Sequence, residues 1–118
     1  MNGTTEASVR DAGNGVAIID VGGEITAGSE DELMGAYGRV GDLGAKAVIL
    51  NFAGLDYMNS GGIGLLVTVL IRANRNGHQL MASGLSDHYR QIFELTRLDE
   101  AISCYADEAA ALAAALAG

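Results

Sequence analysis

The segment AKAVILNF, at residues 45–52, places the strongest constraint on how this chain can fold. It is continuously apolar from Ala47 to Leu50, with no alternation of polar and apolar residues. A strand of this composition is buried on both faces, which is the environment of an interior strand in a parallel sheet. The segment therefore predicts a central strand covered by other elements on both sides.

The rest of the chain alternates between strand-like and helix-like segments. TTEASVR is weakly extended, and DAGNG at residues 11–15 is a turn signal of hairpin type. Further strands are predicted at residues 16–21, 78–84 and 101–106, and helices at 30–40, 61–77, 87–98 and 108–118. This order predicts an α/β fold with a mixed, mostly parallel sheet, an N-terminal antiparallel hairpin strand and about four helices.

The length of the chain, 118 residues, suits one hydrophobic core. We therefore expect a single domain spanning residues 1–118, in which residues 1–14 are partly flexible.

Short polar residues mark the predicted helix starts. Ser29 is expected to cap the first helix, with Glu32 as its capping-box partner. Ser86 and Asp107 are expected to cap the third and fourth helices. The apolar faces expected to be buried are Leu33, Tyr37 and Val40, then Ile63, Leu66, Val67, Leu70 and Ile71, then Tyr89, Ile92, Phe93 and Leu95.

The charge balance limits the partners of the chain. Its formal net charge is −8, from 15 acidic and 7 basic residues, which argues against binding to nucleic acid or to an anionic membrane surface. It suits a protein partner with basic patches, although acidity of this kind more commonly only confers solubility. The sequence shows no signal-peptide pattern and no apolar run of membrane-span length, so we expect a cytoplasmic protein without membrane insertion.

No metal or cofactor site is indicated by the sequence. His78, His88 and the lone Cys104 lack metal-ligand spacing. Cys104 follows a strand pattern and is expected to be a small buried apolar residue.

The junction LDYMNSGGIG, at residues 55–64, is the candidate functional segment. It follows the central strand and opens a helix, where unpaired N–H groups and the helix dipole stabilise an anion. Gly61, Gly62 and Gly64 leave those N–H groups uncovered, although each glycine costs about 1 kcal/mol in a helix relative to alanine. Such a junction favours close approach of another group to the backbone.

Four interpretations of Ser60 follow from the residues alone. It could accept a phosphate, which the helix N-terminus would stabilise. The glycines could cradle a nucleotide phosphate, but their spacing fits neither nucleotide-binding motif. Ser60 could be a nucleophile, but there is no G-x-S-x-G elbow, and His78 would lie roughly 20 Å away along the helix. Finally, Asn59 or Ser60 could merely cap the helix while the glycines allow tight packing.

The layout resembles the STAS domain family, and is most similar to the bacterial anti-sigma-factor antagonists, or anti-anti-sigma factors. The resemblance rests on three segments: GGEI at 22–25, AVILNFAGLDYMNSGGIGLLV at 47–67 and LMASGLSDHYRQIFELTRLDEAISCYADEAAAL at 80–112. Family members carry a Leu-aromatic/apolar-Asp-Ser-Ser/Thr-Gly-Leu-Gly run after a buried strand. Here Asn59 stands at the position of the family's aspartate, Gly61 at that of its second hydroxyl residue, and Thr26 where another aspartate is frequent.

The resemblance implies a non-enzymatic partner switch without a cofactor. An antagonist of this family binds an anti-sigma factor that is also a Ser/Thr kinase, is released when that kinase phosphorylates it, and is reset by a phosphatase. By position, Ser60 would be the phosphoacceptor, with Asn59, Gly61 and Gly62 forming the helix cap and phosphate loop. The implied partner face comprises Gly23, Glu24, Thr26, Asp56, Tyr57, Met58 and Ile63. The alternative is a non-phosphorylated scaffold of a signalling assembly, or an accessory subunit of a lipid transporter.

Tyr57 and Met58 allow two interpretations from sequence. Both could anchor a partner, since aromatic and methionine side chains are enriched at interface centres. Equally, both could pack on the core of the domain itself.

Overall fold

A computed structural model describes residues 4–117 of the chain. Five strands alternate with five helices, and a short 3₁₀ turn at Ala27–Ser29 precedes the first helix. The strands are β1 (Thr5–Gly13), β2 (Val16–Ile25), β3 (Ala47–Met58), β4 (Gln79–Ser83) and β5 (Ser103–Tyr105). The helices are α1 (Glu30–Asp42), α2 (Ser60–Asn76), α3 (Asp87–Leu95), α4 (Leu98–Ala101) and α5 (Glu108–Ala117).

The strands form one sheet in the order β1-β2-β3-β4-β5. β1 pairs with β2 in antiparallel orientation, and the other three pairs are parallel. The predicted fold class is therefore confirmed, and the helices number five rather than about four. The hairpin turn also forms as expected, because Gly13, Asn14 and Gly15 all adopt positive φ angles of 79°, 55° and 78°. Of residues 1–14, which were expected to be partly flexible, residues 5–13 form β1, and residues 1–3 lie outside the described part.

The sheet buries a different cluster on each face, because successive strand residues point to opposite sides. On one face, Ile19 and Leu50 belong to the larger cluster, which is covered by α1, α2 and α3. On the other face, Ile18 and Ile49 belong to a smaller cluster that α5 covers with Ala111. The central strand β3 is thus buried on both sides over residues 47–50, as its composition predicts.

Both strands that lead to the candidate site are longer than predicted. The prediction of 45–52 for the central strand, followed by a connecting segment, is wrong because β3 continues to Met58. The prediction of 16–21 for its neighbour is likewise too short, since β2 continues to Ile25. The extension depends on parallel pairing between the two strands, with register shifts around Gly22 and Gly23. Part of this stretch is exposed, and Glu24 and Asp56 interrupt its apolar pattern.

Helix α1 begins differently from the prediction. Ser29 stands at its N-cap position but forms no side-chain cap, so the expected capping box with Glu32 is absent. Instead Ser29 is buried, and its hydroxyl accepts a hydrogen bond from the backbone N–H of Thr26 at 2.9 Å and contacts the hydroxyl of Thr5. Thr26 in turn caps the 3₁₀ turn by accepting from the N–H of Gly28 at 3.1 Å. The expected caps at Ser86 and Asp107 do form, at 3.4 and 2.9 Å.

The buried faces of α2 and α3 are rotated or shortened relative to the prediction. In α2, Leu66 is buried as expected, but Val67 and Ile71 are exposed because Leu65, Val69 and Ala73 turn to the sheet. In α3, Tyr89 and Phe93 are buried, whereas Leu95 is 84% exposed. That helix ends at Leu95 instead of residue 98, since Arg97 adopts a left-handed conformation with φ 60° and a new short helix, α4, starts after it. In α1, Leu33, Tyr37 and Val40 are all buried as predicted.

An ion-pair cluster ties the first strand to the last helix. The guanidinium of Arg10 in β1 donates to both carboxylate oxygens of Asp20 in β2, at 2.5 and 2.8 Å, and to Glu108 in α5 at 2.6 Å. Asn51 in β3 adds a further donor to Asp20 at 2.8 Å. These contacts, led by the Arg10 hydrogen bonds, lower the pKa of Asp20 below its ordinary value, while both carboxylates raise the pKa of Arg10.

We expect Asp20→Asn to lower the free energy of unfolding at pH 7 by about 0.5–1 kcal/mol, since the pair is partly exposed. The pKa of Asp20 is lower in the folded state, so its stabilisation is present above the ordinary value of 3.8. It is lost as the pH falls through the lower folded value. Urea unfolding of both proteins from about pH 7 to 2 measures this, and Asp42→Asn, at an exposed position of α1, controls for the charge. A difference between wild type and Asp20→Asn that stays constant over this range would contradict it.

Candidate functional site

The candidate site lies where β3 ends and α2 begins, at the carboxyl end of the parallel strands. Met58 is the last residue of β3, and Ser60 is the first residue of α2. The carboxyl ends of strands in open α/β sheets are where binding sites usually form. The structure thus brings the predicted phosphoacceptor to the expected edge.

Asn59 is the N-cap of α2. Its side-chain oxygen accepts a hydrogen bond from the backbone N–H of Gly62 at 3.0 Å, and its carbonyl oxygen accepts from Ile63 at 3.0 Å. Its own N–H donates to the carbonyl oxygen of Ile25 at 3.2 Å, which fastens the helix start to β2. The amide at this position therefore performs the cap without the negative charge of an aspartate.

Ser60 is exposed at the positive end of the α2 dipole. The first turn of α2 contains no acidic residue, so no carboxylate of that turn offsets the partial positive charge. Ser60 is therefore an exposed residue at a position that stabilises an added anion.

Gly61 and Gly62 are required by packing. A Cβ atom at Gly62 would overlap the carbonyl oxygen of Ile25, and one at Gly61 would lie 2.8 Å from the backbone nitrogen of Ala27. The 3₁₀ turn and the end of β2 therefore press directly against the start of α2. This explains two of the three glycines as tight helix–strand contacts, and it leaves no room for a second hydroxyl residue at position 61.

Gly64 has a different environment, because a Cβ atom there would have no neighbour within 4 Å. It is exposed on α2, one helical turn after Ser60. Packing within the chain does not require a glycine at this position, so a flat surface beside Ser60 is the property that it provides.

The predicted partner residues on β2 lie beside those on β3. Parallel pairing aligns Glu24 with Tyr57 and Ile25 with Met58. Glu24 and Thr26 are half-buried. Gly23 adopts a φ of 73°, and a Cβ there would overlap the carbonyl oxygen of Thr4, so its role is to shape the strand.

The predicted partner residues on β3 and α2 differ in exposure. Asp56 is exposed and Tyr57 is 46% exposed, whereas Ile63 is half-buried. Met58 is only 5% exposed and belongs to the larger core cluster. The two interpretations of the Tyr57–Met58 pair therefore separate: Tyr57 is available to a partner, and Met58 packs on the core of its own domain.

Two contributors to the site were missed from the sequence. Ala27 and Gly28 of the 3₁₀ turn are exposed next to the start of α2, and no sequence signal places them there. Tyr89 of α3 was assigned to the core, and it is buried, but its hydroxyl also accepts a hydrogen bond from the N–H of Met58 at 2.8 Å. Spacing along a helix predicts burial of such a tyrosine and cannot predict its partner.

The histidines and the cysteine lie in other environments. The Nδ1 atom of His78 is 2.6 Å from the hydroxyl of Tyr37, at the end of α2 farthest from Ser60. His88 is exposed, with its ring edge-on to Tyr89. Cys104 is half-buried against the larger cluster, and burial raises the pKa of its thiol to about 11.

The described residues contain neither a metal-binding cluster nor a helix that could span a membrane. Within residues 4–117, no group of three or more His, Cys, Asp and Glu side chains is arranged to hold a metal ion. Within the same range, no helix combines the length and the hydrophobicity of a membrane span.

The STAS domain profile matches residues 9–111, which is most of the chain. This match, together with the sheet order and the helix start at Ser60, shows that the chain belongs to the STAS domain family.

Known proteins of this family are similar to the chain in sequence and in structure. An anti-sigma-B factor antagonist from Staphylococcus aureus is 32% identical over 82 residues, which cover 70% of this chain and 76% of that protein. An anti-sigma factor antagonist from Mycobacterium paratuberculosis has the same fold, with a TM-score of 0.79, 22% identity and coverage of 94% and 93% of the two chains. The Bacillus cell-fate determinant SpoIIAA in its phosphorylated form has a TM-score of 0.67 at 17% identity, with 88% and 95% covered.

We expect Gly62→Ala to lower the free energy of unfolding by about 1–3 kcal/mol, because its Cβ overlaps backbone that cannot move easily. Gly64→Ala is the matched control in the same helix. It is expected to be neutral or to stabilise by up to about 1 kcal/mol, since alanine is the better helix former and the site is open. Chemical denaturation of the two variants measures both effects, and equal destabilisation would refute the difference in packing.

Proposed function

We propose that this protein is an anti-sigma-factor antagonist that binds an anti-sigma factor with Ser/Thr kinase activity and is released by phosphorylation of Ser60. A phosphatase restores the binding form. The protein acts by reversible binding in the cytoplasm and is not itself an enzyme. The proposed contact area, called the switch surface, comprises Gly23, Glu24, Thr26, Asp56, Tyr57, Ser60 and Ile63, with Met58 supporting it from below.

The observation that carries this proposal is the exposed Ser60 at the start of a helix whose first turn contains no acidic residue. A kinase needs access to the acceptor oxygen, and the open space at Gly64 allows a partner to approach it. Within the chain, the helix dipole tolerates the added charge. The curated relative named as an anti-sigma-B factor antagonist supports the same role.

Charge explains how a phosphate would break the complex. Phosphorylation adds roughly −1.5 to −2 charges at pH 7. Glu24 and Asp56 already make the neighbouring surface acidic. In a packed interface the phosphate must lose its hydration or meet like charge, and a buried charge without a partner costs several kcal/mol. A change of that size weakens binding a hundredfold or more.

Asn59 and Gly61 depart from the family pattern at the junction, and both are compatible with this switch. Asn59 retains the cap on Gly62, so the direction in which Ser60 points does not depend on a carboxylate. Gly61 leaves Ser60 as the one hydroxyl residue at the α2 start, between residues 59 and 64. The switch is therefore proposed to have a single acceptor.

The test begins with an anti-sigma factor recovered from native extract on the wild-type chain, identified by mass spectrometry and then purified. We expect Ser60→Asp to bind it at least about tenfold more weakly than wild type in titration calorimetry. This effect is set below that of phosphorylation because Asp carries less charge than phosphate. Ser60→Ala should bind and should accept no phosphate when ATP is added. Ser103→Asp, at an exposed position of the edge strand β5, is the control and should bind like wild type.

Other outcomes favour other functions. Equal binding of wild type and Ser60→Asp in a large assembly would contradict the switch and support a scaffold or transporter-associated role. Turnover of generic esters by wild type, lost in Ser60→Ala, would instead support a nucleophilic enzyme.

A further inference from the structure

The last part of β3 has a neighbouring strand on one side only. Its pairing with β4 ends at Asn51 and Ser83. Its pairing with β2 continues to Met58 and Ile25. Residues 52–58, which lead directly to Ser60, therefore lack sheet hydrogen bonds on the side where β4 would have continued.

Backbone N–H groups along a strand point alternately to opposite sides. The N–H of Asn59 faces β2 and donates to the carbonyl oxygen of Ile25 at 3.2 Å. The N–H of Met58 faces the unpaired side, where the Tyr89 hydroxyl accepts it at 2.8 Å. Met58 and Tyr89 are 5% and 8% exposed, so bulk water cannot readily replace this acceptor.

The same two residues hold the α2 start from below. The Met58 side chain lies beneath Gly62, because a Cβ atom at Gly62 would come 2.9 Å from its Cγ atom. Tyr89 is anchored in the first turn of α3, where its N–H donates to the hydroxyl of Ser86 at 3.4 Å. A continuous path of hydrogen bonds and packing thus joins the start of α3 to the start of α2.

We propose that Tyr89 is a positioning residue for Ser60: its hydroxyl takes the place of the missing strand and sets the direction in which the chain enters α2. This inference rests on the proposed function, since Ser60 is its target. The position of Ser60 in α2 then depends on Tyr89, which belongs to a different helix, α3. Loss of the hydroxyl alone frees the Met58 N–H and loosens the junction.

Tyr89→Phe tests this with the loss of one oxygen atom. Tyr37→Phe is the matched control, because Tyr37 is equally buried at 5% exposure and its hydroxyl bonds His78 and Asn76 at the other end of α2. In hydrogen–deuterium exchange followed by NMR, we expect the amides of Met58, Asn59 and Gly62 to exchange about tenfold faster in Tyr89→Phe. They should be unchanged in Tyr37→Phe. Unchanged exchange in Tyr89→Phe would overturn the proposal.

The second measurement asks whether the geometry matters for Ser60. With the purified anti-sigma kinase and ATP, at a temperature where both variants are folded, Tyr89→Phe should lower kcat/KM for phosphorylation by about tenfold. Tyr37→Phe should match wild type. Equal rates for the two variants would reduce Tyr89 to a structural role and overturn the proposal. Absence of phosphorylation in wild type would count against the proposed function, while the exchange measurement still decides whether Tyr89 holds the junction.

Discussion

Parallel pairing between β2 and β3 is the interaction on which the candidate site depends. It continues past Asn51, where β3 leaves β4, and ends only at Ile25 and Met58. That extension carries the 3₁₀ turn after β2 to the start of α2, so two separate segments form one surface. Without it, Thr26 and Tyr57 would belong to different loops, and no fixed face would surround Ser60.

The fold class and the order of strands and helices along the chain could be predicted because they depend on features that are local in sequence. A run such as Ala47–Leu50 has one stable environment, and the cap residues Ser86 and Asp107 act within a single helical turn. The strand ends could not be predicted, since residues 53–58 show neither a continuous apolar run nor a clean alternation, and pairing with the neighbouring β2 is what makes them a strand. Ser29 failed as a cap for a related reason: Thr5, far away in sequence, competes for its hydroxyl.

At the candidate site, sequence reasoning placed Ser60 and its capping neighbour Asn59 at the start of a helix but could not separate the roles of the glycines. Gly61 and Gly62 are required because a Cβ atom at either position would overlap β2 or the 3₁₀ turn, whereas a Cβ atom at Gly64 would meet no other atom within 4 Å. In sequence the three are equivalent, and only the backbone that lies against each of them distinguishes them. The hydroxyl of Tyr89 is a similar case, because helical spacing predicts that the ring is buried and says nothing of what its oxygen contacts.

The close approach of Ala27 to Gly61 has a consequence for how such chains diverge. A serine or threonine at position 61 is blocked until the turn at residues 27–29 has moved, so the order in which mutations arise is constrained. A change at codon 61 alone therefore cannot place a second hydroxyl residue beside Ser60, because the turn that carries Ala27 has to move as well.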